Sequence, residues 1–445
     1  MEATPRRRRT PHGKISRADP RAWCFDRRPT GQAYCPGPAA SMAKRLRRAS
    51  ALRGRLRSGM RAGASCHTLP AMAANLTRAY FDIISEKKRG LGCDLLRVFL
   101  AAASVPYGAA IILRNVYYDL YRKASARPER PVISIGNITT GGTGKTPVTA
   151  EVACRLVEKG LRVAILLRGY KGGAPRGGES GAGPAREKWG SHSDEALVLK
   201  RRCPKAVVIV DPDRPAAARR AVAEGADVIL LDDGFQHRRL ARDLDIVLVD
   251  ATAPFGHGHI LPRGLLREPA SSLRRAGLII LTRSNEIDHA TKGILLGTLR
   301  RVSGGKPLIE AVHQLTGFMD VKGRALETQD ASAIQAVLFA GVGNFESFRR
   351  GVERLGVRVI AAYQYPDHHA YTDAEITGLQ DVASDLEANA VITTEKDAVK
   401  LVGRWSDDAP SLLVAALQIA WDPEGDKALD AAMTRVLSRH APRSE

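Results

Sequence analysis

Short apolar runs rich in β-branched residues alternate with helical stretches along the chain from residue 131 onward. Such runs are typical of buried parallel strands joined by crossover helices. The pattern therefore predicts an α/β fold with a parallel sheet and flanking helices. The first set of predicted strands covers residues 132–135, 163–167, 207–210, 228–231, 246–249 and 278–281. The second set covers residues 308–312, 337–339, 357–361, 390–393 and 412–416.

A different pattern occupies residues 98–113, which are uncharged and mostly apolar. The segment contains Pro106 and Gly108 and is shorter than the roughly 20 residues that span a bilayer. Lysines, arginines and tyrosines lie close to its two ends. This arrangement is typical of a helix that lies in, or dips into, an anionic membrane interface. A buried core helix is the alternative interpretation.

The first 71 residues are rich in arginine and show no apolar periodicity, which predicts a disordered basic leader. Two explanations stay open: an organelle transit peptide, or a start codon assigned too far upstream, with Met42 or Met72 as the true beginning. A Gly-rich stretch at residues 171–190 predicts a surface loop. The predicted segments are the leader (1–71), a membrane-associated helical segment (72–130), a P-loop kinase domain (131–305) and a smaller C-terminal α/β domain (306–445).

Composition narrows the class of protein. The chain has 445 residues, of which 44% are hydrophobic and 26% charged, so collagen-like and fully disordered chains are excluded. Most of the net charge of +21 lies in the leader, and therefore the body does not indicate a nucleic-acid partner. The six cysteines form no C-x-x-C pair, which argues against a disulfide framework or a zinc site.

A phosphate-binding loop is the strongest local motif, because it follows a predicted strand and opens a predicted helix. Backbone amides of such a loop surround phosphate oxygens, the lysine reaches the β and γ phosphates of ATP, and the terminal threonine hydroxyl binds Mg²⁺. Thr139 stands where the strict pattern has glycine. The nucleotide-binding residues predicted are Thr139, Thr140, Gly141, Gly142, Thr143, Gly144, Lys145 and Thr146.

Two acids, Asp232 and Asp233, end the predicted strand 228–231. A phosphate-binding loop needs an acid near its metal, so one of the two is expected to hold Mg²⁺ directly or through water. A turn or a helix cap is the structural alternative. Together with the loop, these acids predict a P-loop NTPase-like parallel sheet.

The motifs in their order along the chain resemble the tetraacyldisaccharide 4'-kinase family, a membrane-associated kinase family of lipid A biosynthesis. The most specific motif is Asp-Asp-Gly-Phe-Gln-His at 232–237. Supporting motifs lie at 136–147, 168–170, 193–195, 261–269, 341–344, 367–371 and 394–397. The resemblance implies an enzyme that uses ATP and Mg²⁺ to phosphorylate the 4'-hydroxyl of a tetraacylated glucosamine disaccharide 1-phosphate, giving lipid IVA.

The resemblance also implies roles for particular residues. Asp194 would accept the hydroxyl proton, oriented by His368 as first choice or His369 as second. The alternative is that Asp194 forms the N-cap or the first turn of a helix running through Leu199, and that His368 caps local backbone. The family usually has Gly-Asp-Glu-Pro where this chain has Ser-Asp-Glu-Ala at 193–196, and both acids are kept.

Further residues complete the implied site. Glu268 matches an acid associated with the metal, and Gln236 would bind the metal or orient its water. A surface ion pair of Glu268 with Arg267 or Arg263 is the alternative. The implied substrate-binding residues are Arg168, Glu195 and Arg214, although a solvated arginine at a helix start describes Arg214 equally well. The implied partners are the lipid substrate and a membrane surface, and no protein partner is indicated.

The implied location is the cytoplasmic face of the bacterial inner membrane, or an organelle membrane if residues 1–71 are a transit peptide. A second candidate function is a P-loop ATPase of the chromosome-partitioning or metal-chaperone type. Those ATPases usually carry lysine immediately before the paired glycines, where this chain has Thr140. A non-enzymatic nucleic-acid binder is the third candidate function. It ranks last because the body lacks a basic stripe with interleaved aromatic residues.

Overall fold

The computed structural model describes residues 79–169, 193–326 and 331–440. All of these residues belong to one compact unit. The predicted leader, both candidate start residues and the predicted Gly-rich loop lie outside the described residues.

A long apolar helix, α1 (Leu91–Leu120), follows the helical residues 79–84. It extends past the predicted segment 98–113 at both ends and continues through Pro106. Only 6% of its most apolar window is buried, and Leu91 is 85% exposed. The alternative of a buried core helix is therefore wrong. By length and composition alone, α1 is able to cross a membrane.

One stripe of α1 is fixed to residues 259–268, the segment that carries the Leu-Pro-Arg-Gly-Leu-Leu-Arg-Glu motif. Ser104 Oγ donates to the carbonyl of Ile260 at 3.0 Å and accepts from the amide of Arg263 at 3.1 Å. Tyr107 Oη donates to the carbonyl of Arg267 at 3.2 Å. The helix is thus anchored by polar contacts along one stripe while its large apolar side chains stay exposed.

Seven parallel strands form the first subsheet, in the spatial order β7-β6-β5-β1-β4-β2-β3. Every residue of the central strand β1 is buried, so the loop that follows it leaves from the middle of the sheet. The elements are β1 (Val132–Asn137), α2 (Lys145–Glu158), β2 (Val163–Leu167), α3 (Asp194–Arg202), β3 (Val207–Val210), α4 (Arg214–Ala223), β4 (Val228–Asp232), β5 (Leu244–Asp250), β6 (Leu278–Thr282), α5 (His289–Ser303) and β7 (Leu308–Met319).

Four strands form the second subsheet, in the order β10-β9-β11-β12, and they are parallel to one another. Its core surrounds Phe339, which contacts the rings of Tyr365, Tyr371 and Trp405. The elements are β8 (Ala325–Leu326), β9 (Gln335–Ala340), α6 (Phe345–Arg354), β10 (Arg358–Gln364), α7 (Asp373–Asp385), β11 (Ala390–Thr394), α8 (Glu395–Ala398), β12 (Ser411–Trp421) and α9 (Pro423–His440). The C-terminal helix α9 returns to the core of the first subsheet, and the predicted division at 305/306 stays a prediction.

The subsheets are joined by a two-stranded ribbon. Strand β7 pairs with β6 only as far as Ala311, and from there it pairs antiparallel with β12 up to Met319. Strand β12 pairs with β11 only as far as Ala415. Because β7 and β12 run in opposite directions, the carboxyl ends of the two subsheets face each other across the ribbon. Ligands bind at the carboxyl ends of parallel strands, so this topology directs two binding edges toward one space.

Each predicted strand is present, and the parallel α/β architecture is confirmed. Two strands are longer than predicted by five residues or more: β7 continues beyond residue 312 and β12 beyond residue 416. These extensions lie in the antiparallel ribbon and include polar and small residues, so they lack the continuous apolar pattern of a buried strand. The short strand β8 was not predicted.

Candidate active site

The facing carboxyl ends border one cleft of about 850 Å³. On the first subsheet, residues 140–147 line it. On the second subsheet, residues 342–344, 367–368 and 394–396 line it, each following a strand end. Ribbon residues 312–315 lie between the two walls. A loop typical of phosphate binding is therefore opposite a second set of polar side chains.

The phosphate loop is held from both sides. Thr139 and Thr143 are buried, and Asn137 Nδ2 donates to Thr143 Oγ1 at 3.0 Å. The amide of Thr140 donates to the carbonyl of Leu265 at 2.8 Å. The φ angle of Thr139 is not positive. Its backbone therefore does not require the glycine that the strict pattern has at this position.

Gly144 is the loop position that requires glycine most clearly. Its φ is +85°, in the left-handed region, and a Cβ atom there would lie 2.3 Å from the imidazole of His313 on the ribbon. Such a separation is far below van der Waals contact. The ribbon therefore packs directly on the backbone of the phosphate loop where helix α2 begins.

Asp232 lies buried at the end of β4, beside the first turn of α2. Its carboxylate accepts from Thr149 Oγ1 at 3.0 Å, and Thr146 Oγ1 is 3.5 Å away. Arg214 donates to the carbonyl oxygens of Asp232 at 2.6 Å and Asp233 at 3.2 Å. Burial, together with the charge of Asp233, raises the pKa of Asp232 to about 6. Burial therefore disfavours the ionised form of Asp232 in spite of the nearby Lys145 and Arg214.

Asp233 has a left-handed backbone, with φ of 49°, and its carboxylate contacts cations. Arg267 Nη1 lies 2.8 Å from Oδ2, and Lys145 Nζ lies 3.7 Å from Oδ1. Burial acts to raise the pKa of Asp233, but Lys145 and Arg267 outweigh it and hold the pKa below its usual range. Gln236 lies at the same place, since Arg267 Nη1 also donates to its Oε1 at 3.4 Å.

The structure brings Asp194 and His368 together. Nδ1 of His368 lies 3.4 Å from Oδ2 of Asp194, and the hydrogen bond that Asp194 accepts raises the pKa of His368. Ser193 is the N-cap of α3, accepting from the amide of Ala196 at 3.3 Å, so Asp194 is not the capping residue. Asp194 lines a side cavity of about 170 Å³, and His368 lines both this side cavity and the cleft.

His369 lines the same side cavity but has different partners. Its Nε2 is 3.0 Å from Oε1 of Glu375, and its ring packs against Tyr365 and Tyr371 with centroids 4.8 and 5.0 Å apart. The ring therefore belongs to the aromatic core of the second subsheet. Of the two candidate histidines, His368 is the one that contacts Asp194.

The predicted substrate-binding residues differ in exposure. Arg168 is exposed at the carboxyl end of β2, and Glu195 lies in the first turn of α3; both line the cleft. Nε2 of His368 is 3.4 Å from Oε1 of Glu195. Arg214 is 2% exposed, so the alternative of a solvated arginine is wrong.

The sequence matches the family LpxK: Tetraacyldisaccharide-1-P 4'-kinase over residues 96–438. This chain belongs to that kinase family. It is 43% identical to a tetraacyldisaccharide 4'-kinase of Anaeromyxobacter dehalogenans (strain 2CP-C), covering 68% of this chain and 80% of that protein. It is 40% identical to a tetraacyldisaccharide 4'-kinase of Anaeromyxobacter sp. (strain K), and the match covers 78% of this chain and 93% of that protein. The crystal structure of LpxK from Aquifex aeolicus in complex with ATP has a TM-score of 0.59 and 26% identity, covering 77% and 99%.

As a member of the tetraacyldisaccharide 4'-kinase family, the chain is an ATP-dependent kinase of bacterial lipid A biosynthesis that uses ATP and Mg²⁺. The predicted P-loop NTPase-like fold and the family resemblance are confirmed. Because the family is one of kinases, the alternative of a chromosome-partitioning or metal-chaperone ATPase is wrong.

The residues around the phosphate loop fit Mg²⁺. Thr146, Asp232 and Asp233 present hydroxyl and carboxylate oxygens, the donor types that Mg²⁺ prefers, and a divalent cation would favour the ionised form of the buried Asp232. Among the described residues, no group of three or more His, Cys, Asp or Glu could hold a metal. A kinase site of this kind completes its coordination with nucleotide phosphates and water.

Glu268 does not join this group and does not line the cleft. It is fully buried and contacts Arg275 Nη2 at 2.8 Å, Asn115 Nδ2 at 2.9 Å and Arg114 Nη2 at 3.4 Å. Burial acts to raise the pKa of Glu268, but Arg275 reverses the effect and lowers it. The alternative of a surface ion pair with Arg267 or Arg263 is wrong, and a role in metal binding stays a prediction.

Three residues of this kinase were missed from the sequence. Arg267 contacts Asp233, Lys400 contacts Asp194, and His313 contacts the loop at Gly144. Arg267 lies inside the motif at 261–269, and Lys400 follows the motif at 394–397 by three residues. Both therefore had a signal in the sequence. His313 had none, because it lies in the part of β7 that was not predicted.

Proposed function

We propose that this kinase transfers the γ-phosphoryl group of ATP to the 4'-hydroxyl of tetraacyldisaccharide 1-phosphate, giving lipid IVA. The observation that carries the proposal is the cleft itself, where the phosphate loop of the first subsheet faces His368 of the second, and His368 contacts Asp194 at the adjoining side cavity. A phosphoryl donor and a hydroxyl acceptor can approach each other from opposite walls, as in-line transfer requires.

The phosphate loop is proposed to bind ATP. Backbone amides of residues 139–144 surround the phosphates, and the Lys145 ammonium compensates charge that shifts toward the leaving β-phosphate oxygens. Thr146 and the Asp232–Asp233 pair would hold Mg²⁺, which would neutralise negative charge on the phosphates. Arg267 keeps Asp233 ionised and oriented toward Lys145.

Asp194 is proposed as the proton acceptor. Its carboxylate takes the proton of the 4'-hydroxyl while that oxygen attacks the γ-phosphorus; the bond to the β,γ-bridging oxygen breaks and ADP leaves. His368 orients the carboxylate through the 3.4 Å contact with Oδ2. His368 lines both the cleft and the side cavity that Asp194 lines, so the pair lies where the two spaces adjoin.

Arg168 is proposed to bind a phosphate of the lipid, because its guanidinium is exposed in the cleft at a strand end. Glu195 is proposed to contact the sugar beside His368. Arg214 supports the site indirectly, since its guanidinium holds the backbone of the two metal-binding acids.

Helix α1 is proposed to bind the membrane that contains the lipid substrate. Its exposed apolar surface needs an apolar partner, and the basic residues near its ends suit anionic headgroups. We place the enzyme on the cytoplasmic face of the inner membrane, where ATP is available. The organelle alternative depends on residues 1–71, which lie outside the described structure.

The test uses the full chain with γ-labelled ATP and tetraacyldisaccharide 1-phosphate in mixed micelles. We expect label at the 4' position of the product, and no transfer to an acceptor that lacks the 4'-hydroxyl. ATP hydrolysis without labelled lipid would contradict the proposal.

A second experiment tests membrane binding by α1. Phe99→Asp should weaken sedimentation with anionic vesicles, whereas Ile294→Asp, at an exposed site on α5, should not.

A further inference from the structure

One short segment of the second subsheet, residues 394–400, reaches the residues around Asp194. Arg202 Nε, on α3, donates to Glu395 Oε2 at 2.6 Å. Lys396 Nζ lies 3.1 Å from Nε2 of His368. Lys400 Nζ lies 2.9 Å from Oδ2 of Asp194. The sequence alone predicts no role for the Thr-Glu-Lys-Asp motif at 394–397. In the structure, the motif belongs to the segment that contacts the residues around Asp194 and His368.

Lys400 is held firmly. Besides Asp194, its ammonium contacts the carbonyl of His369 at 3.0 Å and Oδ1 of Asp397 at 3.3 Å, and the side chain is 11% exposed. Asp397 is fully buried and accepts from the amide of Gly341 at 2.9 Å. The ammonium is therefore fixed to the framework of the second subsheet, while its third partner belongs to the first.

We infer that Lys400 is a positioning residue for phosphoryl transfer, which fixes the carboxylate of Asp194 against His368. Both contacts end on the same oxygen, Oδ2. This inference rests on the proposed function, in which Asp194 is the proton acceptor.

The charges around Asp194 predict how the pH dependence of the reaction should change when Lys400 is replaced. Burial acts to raise the pKa of Asp194, but His368 and Lys400 outweigh it and lower the pKa. The other titratable or charged side chains nearby are Glu195 on α3, His369 and Arg404 at the same side cavity, Asp397 beside Lys400, and Lys396 and Asp367 beside His368. Without the Lys400 ammonium, the pKa of Asp194 rises, so a proton must be removed at higher pH before the carboxylate can act.

The test compares Lys400→Met with the unmodified full chain in the kinase assay. We expect kcat to fall about tenfold or more and the KM for ATP to change less than about twofold. The acid limb of the pH profile of kcat/KM should move upward by on the order of one pH unit. Lys400→Arg, which keeps the charge, should restore the position of that limb. Lys427→Met, at an exposed site on α9, is the matched control and should change nothing.

Lys400→Gln replaces Lys400→Met if the latter does not fold, because Gln keeps a donor without the charge. The inference is overturned if the acid limb does not move, or if ATP affinity falls as much as turnover.

Asp194→Asn separates the two proposals. If it keeps full turnover, the proposed proton acceptor is wrong; if it abolishes transfer while the Lys400 variants behave normally, only the inference is wrong.

Discussion

The two walls of the cleft are built in different ways. The phosphate wall comes from one contiguous stretch, residues 139–146, and from two acids that end the adjacent strand β4. The acceptor wall combines Asp194 of the first subsheet with His368 and Lys400 of the second. One wall follows from local backbone geometry, whereas the other exists only while the ribbon holds the two subsheets together.

This difference assigns separate tasks to the two walls. Substitutions in the phosphate wall should weaken nucleotide or metal binding along with catalysis, because the same groups hold the phosphates before and during transfer. Substitutions in the acceptor wall should slow transfer and leave nucleotide binding nearly intact. Measurements that separate binding from turnover can therefore test the comparison directly.

The largest expected effect is that of Asp194→Asn, which keeps the shape of the side chain but removes the proton acceptor. We expect single-turnover transfer to slow about a thousandfold, with Mg²⁺–ATP affinity nearly unchanged in calorimetry. Asp233→Asn should instead weaken nucleotide binding or raise the Mg²⁺ requirement, because it removes charge beside Lys145. Loss of ATP binding in Asp194→Asn would contradict the division between the walls.

His368→Ala should resemble Asp194→Asn in kind, since the two side chains act as a pair. The double variant should then lose less than the product of the two single effects. Single-turnover rates of all four proteins provide the comparison. Independent multiplication of the two losses would show that the residues do not work together.

Lys145→Ala tests the phosphate wall. Removing the ammonium should cut turnover by about a hundredfold, on the order of 3 kcal/mol of transition-state stabilisation. Lys159→Ala, at the other end of α2, is the matched control and should stay within about twofold. Near-normal turnover in Lys145→Ala would remove the loop from the mechanism.

The phosphate wall could be predicted residue by residue because its parts are adjacent in sequence or on neighbouring strands. The strand before the loop, the glycines and the start of α2 all lie within residues 132–146. The positions of Asp232 and Asp233 follow from the end of β4, which pairs with β1. Here local propensity and sheet topology agree, and no distant contact is needed.

The acceptor wall could not be derived in the same way. Asp194 and His368 were selected by resemblance alone, and only the register of β7 with β12 explains why they meet. Polar and small residues in the ribbon obscured its strand pattern, and therefore the contact of His313 with Gly144 was not predictable. Helix α1 was underestimated because the prediction followed the uncharged run 98–113, whereas the helix continues through Arg97 and Arg114 at its two ends.

A smaller effect is expected where the ribbon contacts the phosphate wall. Gly144→Ala forces a side chain into the left-handed region and places its Cβ against His313, so the KM for ATP should rise about tenfold. Gly142→Ala meets no atom within 4 Å and should cost much less. His313→Ala combined with Gly144→Ala should recover part of the loss. Equal KM values for the two glycine variants would show that the contact is unimportant.

The smallest effect concerns the two adjacent histidines, which the sequence could not distinguish. His369 contacts Glu375 and two tyrosine rings, so His369→Gln should lower the free energy of unfolding by about 1 kcal/mol. Turnover should stay within about threefold, because the contact between Asp194 and His368 is kept. His368→Gln should show the reverse, with little loss of stability and a much larger loss of transfer. Denaturation curves and single-turnover rates measured on the same preparations decide the assignment: a larger loss of transfer in His369→Gln would give the orienting role to His369 and separate His368 from the acceptor wall.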